Sequence, residues 1–307
     1  MKYVQQQILE FSASNVIQDF PDYNPSTTYI YEDITTPTSS SVVRHEGYQW
    51  RSITDGNLGN TPSDTSAVWT KWKVSNTYAM LDQQSLTQTV QIGNDIIVEF
   101  ERGRIDSIGL GYYTASEIII EHLDKFDVVI PQVTQTIVTS GFEGIFNLAD
   151  YINIPRQTSV NKSVYIAINP IGTKIRVTLK EEGSEGQAAC GFLIGGAGID
   201  MGATLNKVSF SFKSYSNVTT DSFGRTNIVK RNIQDLAKFR TIADRKTFST
   251  YKRNIKEIYD EIVMFVLDPS ESTDFENLIT LAKVKSASIS AEVADKNIIP
   301  WSIQESI

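Results

Sequence analysis

Tyr29–Asp82 reads YIYEDITTPTSSSVVRHEGYQWRSITDGNLGNTPSDTSAVWTKWKVSNTYAMLD and holds three of the chain's four tryptophans. In its middle, Val42-Val43-Arg44 and Tyr48-Gln49-Trp50-Arg51 flank His45-Glu46-Gly47, the pattern of a tight hairpin. Just before it, Tyr23-Asn24-Pro25-Ser26-Thr27-Thr28-Tyr29 predicts a turn opening into a short strand. Pro fixes φ there, and Asn and Ser hydrogen-bond to nearby backbone. Asp55 to Pro62 is a long turn, followed by Trp69-Thr70-Lys71-Trp72-Lys73. Trp69 and Trp72 do not share the alternating face of a strand, so at least one is expected to point outward. Residues 23–74 are therefore expected to form a small aromatic-rich β module, with its rings supplying most of the burial. The run Ser75-Asn76-Thr77-Tyr78-Ala79-Met80-Leu81-Asp82 leads out of it into a second domain.

Downstream the texture stays β. Ile96 to Phe100, Ile105 to Leu110, Glu117 to Glu121, Asp127 to Ile130, Val164 to Ile168 and Lys174 to Leu179 are β-branched runs between Gly, Pro and Asn punctuation. Short strands at this spacing predict a jelly-roll-like β-sandwich over residues 75–187. From residue 188 the pattern becomes mixed. Lys207 to Phe212 alternates as a strand, Thr220 to Arg225 reads as a turn, and Asn227 to Arg231 returns. Tyr251, Ile255, Ile258, Tyr259 and Ile262 repeat with a helical period. Val263 to Leu267 then reads as a buried strand, Ser272-Thr273-Asp274 as the opening of a second helix at 274–282, and 284–292 as a further strand. The expected organisation is an N-terminal segment (1–22), the aromatic module (23–74), the sandwich (75–187) and a C-terminal α+β assembly domain (188–307). The fold class is mainly β. Residues 1–22 leave open whether they pack on their own domain or on a neighbour.

Composition narrows the function classes. The chain of 307 residues is 40% hydrophobic and 21% charged, ordinary for packed domains. A formal net charge of -8 argues against general nucleic-acid binding, which needs clustered Lys and Arg. One cysteine, Cys190, excludes an intrachain disulfide framework and a Cys-based zinc site. The N-terminus lacks the apolar run of a signal peptide, and no window approaches the length of a membrane helix. The expectation is a product folded in a cytoplasm, without membrane insertion.

Few motifs suggest chemistry. The glycine-rich run from Gly191 to Gly202 lacks the Gly-Lys-Ser/Thr ending of a phosphate loop, and close backbone packing or a sheet corner explains it better. His45 and His122 are the only histidines and lie in no metal or triad pattern. His122 reads as a surface or loop residue. Glu181-Glu182 reads as solvated loop rather than a glycosidase pair. No catalytic residue, cofactor site or metal site is expected. The remaining cluster with functional shape is aromatic: Tyr29, Tyr48, Trp50, Trp69 and Trp72 are candidate glycan-binding residues, because a ring desolvates the apolar face of a sugar. The same rings also suit the core of a tiny domain, and both readings stand.

Tyr29, Gly47-Tyr48-Gln49-Trp50, Asn57-Leu58-Gly59-Asn60-Thr61-Pro62 and Trp69 resemble, in order, the small carbohydrate-binding modules associated with chitin- and cellulose-type glycans. Asn76-Thr77-Tyr78-Ala79-Met80-Leu81-Asp82, with Thr87-Gln88-Thr89 after it, resembles the Asn-Xaa-Trp/Tyr-Ala-Met-Phe-Asp segment of bacteriophage tail proteins. In those proteins such a module precedes a β-sandwich. Ala189-Cys190-Gly191, Leu205, Tyr215, Asp221-Ser222-Phe223-Gly224 and Lys230-Arg231 are similar to their C-terminal part in order and spacing. The resemblance covers roughly residues 23–250. It implies a non-enzymatic structural component of a virion tail or baseplate, made in the bacterial host cytoplasm. Its implied partners are further copies of itself, in a ring, and other tail proteins. The alternative is a receptor-recognition protein that contacts a host surface glycan.

Overall fold

The computed structural model describes residues 1–7, 9–32, 38–84, 87–138, 163–181, 186–205, 208–220, 226–267, 279–293 and 296–306. Strands dominate, and the described residues include two α-helices, Asn76–Ala79 and Phe248–Ile258.

Eleven strands form one large sheet. Its main path runs Ser163–Ala167, Ser107–Gly111, Phe192–Asp200, Lys2–Gln6, Ile262–Val266, Ile279–Ala287, Lys296–Glu305, Ile233–Asp244 and Ala203–Thr204. Ser209–Ser214 also pairs with Ile233–Asp244, and Ser290–Val293 with Lys296–Glu305. A five-stranded sheet of Gln135–Val138, Glu117–Leu123, Lys174–Leu179, Ile96–Glu101 and Phe11–Ser14 packs on one end of it. Alternation explains this contact. Ile96, Val98, Phe100, Ile118, Ile120 and Val177 turn inward against Ile108, Leu110, Ile166 and Leu193 of the large sheet. The outward face is mostly polar, with Ile97 and Ile119 among its charged residues, and Arg176 pairs there with Glu99 at 2.7 Å and Glu121 at 3.3 Å. The two layers make the sandwich expected from sequence.

The large sheet then continues beyond the sandwich. Leu193 packs into the sandwich, while Ile199, on the same face of the same strand, packs into the next cluster. There Ile255 and Ile258 of the helix cover Val263, Phe265, Phe239 and Trp301. The opposite face carries buried Val4, Phe192, Ile194, Met264, Val266 and Leu281. The sheet curls so that Ser163–Ala167 approaches Ile279–Ala287, enclosing this third cluster.

Several expectations are corrected by this topology. Residues 1–22, whose packing partner the sequence left open, join both sheets: Lys2–Gln6 lies between Phe192–Asp200 and Ile262–Val266, and Phe11–Ser14 edges the five-stranded sheet. The division expected at 187/188 does not separate sheets, because Ser107–Gly111 is hydrogen-bonded to Phe192–Asp200. The helix expected to reach Ile262 ends at Ile258, and Ile262 opens the next strand. Of the second helix expected at 274–282, residues 274–278 lie outside the described residues. Ile279–Ala287 is a strand, held by ladders on both sides. Asp127 to Ile130 is not a strand: Asp124 Oδ1 accepts the backbone N–H of Phe126 and Val128 and bends the chain into a turn. His122 is fully buried, with Nδ1 2.8 Å from the Ile171 carbonyl, because it occupies an inward position of its strand. Asp221 to Arg225 and Glu182 lie outside the described residues.

The glycine-rich run is a strand in close contact with its neighbours. A Cβ on Gly196 would lie 1.8 Å from the Gln5 carbonyl oxygen, and one on Gly195 3.1 Å from Leu9. Just before this strand, at the end of Gln187–Cys190, Cys190 is buried and its thiol is pushed up to about 12 by desolvation. Thiol labelling of the native protein at pH 8 is therefore expected to be very slow and to accelerate only on unfolding. Rapid stoichiometric labelling under native conditions would contradict this packing.

Candidate functional site

The aromatic module is a three-stranded sheet, Val42–His45, Tyr48–Ser52 and Trp69–Val74, with a small ladder of Thr28–Tyr29 and Asn57–Leu58 beside it. The hairpin turn is Glu46-Gly47, with φ of 49° and 79°, the two left-handed residues that a tight hairpin favours.

The structure separates the five candidate residues. Tyr29, Trp50 and Trp69 are buried and form the module's core with Val43. Tyr29 and Trp69 meet edge-on, with ring centroids 5.1 Å apart. Their polar ends are satisfied internally. Trp69 Nε1 donates to the Asn60 carbonyl at 2.7 Å, Trp50 Nε1 to the His45 carbonyl at 3.1 Å, and Tyr29 Oη to the Asn24 carbonyl at 3.2 Å. These three hold the module together.

Tyr48 and Trp72 remain accessible, at 37% and 40% exposure. Tyr48 is covered by the Lys71 ammonium, 4.0 Å from its ring centroid, and Asp64 holds that lysine at 2.9 Å. Trp72 owes its exposure to a register break. Lys73 faces Gln49 while Lys71 faces Trp50, so Trp72 is the extra residue of a bulge and leaves the ladder. Phe20 supports it edge-on at 5.9 Å. The five rings thus do not form one platform. Trp72 is the one tryptophan among them on the surface, and the Lys73 ammonium stands over its ring at 5.1 Å.

The segment after the module does something the sequence did not reveal. Asn76 Nδ2 donates to the Ile17 carbonyl at 2.9 Å and the Val90 carbonyl at 2.8 Å, and Asn76 Oδ1 accepts the Val90 N–H at 2.9 Å. One amide therefore pairs with a strand as a peptide would, while also holding the N-terminal chain. Thr89 Oγ1 donates to the Asn76 carbonyl and accepts from Met80 N. Ser75 Oγ donates to the Gly47 carbonyl, and the Tyr78 ring lies against Gly47, where an added Cβ would meet it at 3.3 Å. Tyr78 also meets Phe11, 5.6 Å between centroids. Met80 is buried in the sandwich core. Asp82 accepts from Thr87 Oγ1 and Gln84 N, while burial raises its pKa above the usual carboxylate range. Asn76–Asp82 is thus a rivet joining the module's hairpin, the N-terminal chain and the sandwich.

Among the described residues no group of three or more His, Cys, Asp or Glu is placed to hold a metal. No family model matches the chain, and no curated protein or solved structure matches it significantly.

Proposed function

We propose that this protein is a non-enzymatic structural component of a bacteriophage tail or baseplate, assembling as a ring of copies with other virion proteins. The observation that carries this reading is the Asn76–Asp82 rivet. In the stretch that resembles bacteriophage tail proteins, Asn76, Thr77, Tyr78 and Met80 each reach another segment of the chain. A module fastened in this way transmits load and orientation rather than swinging on a linker, which suits a part of a particle. Locating the chain by cryo-EM in intact particles tests the reading. Density for it in a symmetric ring of the tail is expected, and complete particles that lack it would refute the proposal.

Asn76→Ala is expected to cost about 2 kcal/mol, because it leaves the Val90 N–H and two carbonyls without their partner. The module should then be cleaved from the body by limited proteolysis at a lower protease concentration. Unchanged protection would remove the rivet's role.

A second reading rests on Trp72: a host-glycan receptor in which its exposed indole stacks on a sugar. It predicts that the full chain is retained on a cell-wall polysaccharide column and that Trp72→Ala abolishes retention at unchanged melting temperature. No retention of the parent protein on any polysaccharide ends this reading.

A further inference from the structure

The large sheet ends on an edge whose chemistry differs from the rest of the molecule. Residues 203–256 contain twelve Lys or Arg against three Asp, while the remainder has sixteen basic against thirty-three acidic residues. Of the twelve, Lys213, Lys230, Arg231, Lys238 and Arg240 lie on or beside Ser209–Ser214 and Ile233–Asp244 at the outer end of the sheet, which Asn217–Thr220 with Thr226–Val229 extends as a hairpin.

The same edge is apolar and uncovered. Phe210 pairs with Ala237 and Phe212 with Asp235, on the face that carries Phe239 and Trp301, yet both phenylalanines are exposed, Phe212 at 71%. Val218, Val229 and Ile233 are exposed beside them. Lys213 and Lys238 belong to the reverse face by alternation, and Lys230 and Arg231 line an open hollow with Tyr215. Among the described residues no carboxylate lies within ion-pair distance of Lys213, Lys230 or Arg231. Among the described residues Ser209–Ser214 has a strand neighbour on one side only, the arrangement of an edge strand. An exposed, apolar, unpaired edge of this kind is a docking surface.

We infer that this edge docks on the acidic body of a second copy of the chain, and that the contact is head-to-tail. Charge complementarity selects the occupant, since the surface that best neutralises the edge is the strongly acidic remainder of the same protein. A polyanion such as DNA would engage the cations and leave Phe210, Phe212, Val218 and Ile233 in water. A two-fold contact centred on the edge would set it against itself, which like charges oppose. Where the edge meets an acidic surface elsewhere on its neighbour without the reciprocal contact, the interface is heterologous, and such contacts propagate into rings or filaments. This inference rests on the reading of the protein as a ring component and supplies the surface that joins its copies.

Sedimentation velocity of the full chain tests it. Species larger than a monomer are expected at about 50 mM salt, shifting toward monomer as salt screens the contact. Phe212→Ser and, separately, Lys230→Glu with Arg231→Glu are each expected to raise the concentration needed for assembly by at least about tenfold. Both sets are exposed, so a circular-dichroism melt near that of the parent is expected for each. Lys238→Glu with Arg240→Glu provides a third test on the same edge. Added to the parent protein, the charge-reversed variant should cap growth and shorten the assemblies, because its acidic body still accepts a neighbour's edge. A parent that stays monomeric at low salt, variants that assemble like the parent, or assembly that stops at dimers overturns the inference. So does a monomeric parent that binds a short DNA duplex through Lys230 and Arg231. A chain found in the tail by cryo-EM but monomeric in solution would sink this inference alone. A chain that assembles in solution but is missing from particles would sink the functional proposal alone.

Discussion

Gly196→Ala is expected to destabilise the protein by about 4 kcal/mol or more, near the top of the range for single substitutions. The new Cβ would lie 1.8 Å from the Gln5 carbonyl oxygen and 3.0 Å from its carbon, and these are backbone atoms that no rotamer change moves. Relief requires Lys2–Gln6 to separate from Phe192–Asp200. That strand is central, bonded on its other side to Ile262–Val266, with Tyr3 buried on one face and Val4 on the other. Separation therefore opens two cores. Equilibrium unfolding in denaturant measures the cost, and labelling of Cys190 reports the opening independently. Gly56→Ala is the control: φ is 67° and nothing lies within 4 Å of its added Cβ, so it should cost only about 1 kcal/mol. Equal losses at the two glycines would remove the close-packing account of the glycine-rich run.

Trp69→Ala is expected to unfold the aromatic module while the rest of the chain stays folded. Truncating a buried tryptophan costs about 3–5 kcal/mol. Among the described residues the core concerned is Tyr29, Val43, Trp50 and Trp69, with Tyr23 and Val68 packed against it. So small a core has no reserve against such a loss. The sandwich and helix layers draw on other residues and should persist. Limited proteolysis should cut within 23–74 and leave a resistant remainder, and Trp50→Ala should behave alike. Trp72→Ala, on the bulge, should change stability by less than about 1 kcal/mol. If Trp69→Ala leaves the module resistant, or Trp72→Ala unfolds it, the assignment of core and surface rings is reversed.

Much of this architecture was legible in the residues. Most of the β-branched runs are strands, Asp127 to Ile130 excepted, the tight hairpin at Glu46-Gly47 formed as the pattern required, and of Trp69 and Trp72 at least one points outward, as their spacing required. The glycine-rich run was readable as close backbone approach. Other features were not. His122 looked like a strand-end residue, and its burial follows from the inward face on which the ladder with Lys174–Leu179 places it. Residues 279–282 suited a helix locally, and two flanking strands impose the extended form. The basic segment was visible as composition, but only the sheet order shows that it forms one uncovered edge.

The sequence by itself determined the class of structure: a β protein with a small aromatic module ahead of a sandwich, since alternation, β-propensity and turn chemistry each act within a few neighbouring residues. Tertiary structure alone decided where the parts sit and what each side chain meets. It put Lys2–Gln6 in the centre of a sheet built mostly from residues beyond 190, made three candidate rings core and left Trp72 on a bulge. It also turned Asn76–Asp82 from a signature into a rivet. The physical reason is range: Asn76 acquires its role from Ile17 and Val90, and Gly196 from Gln5, partners that the local chain does not specify.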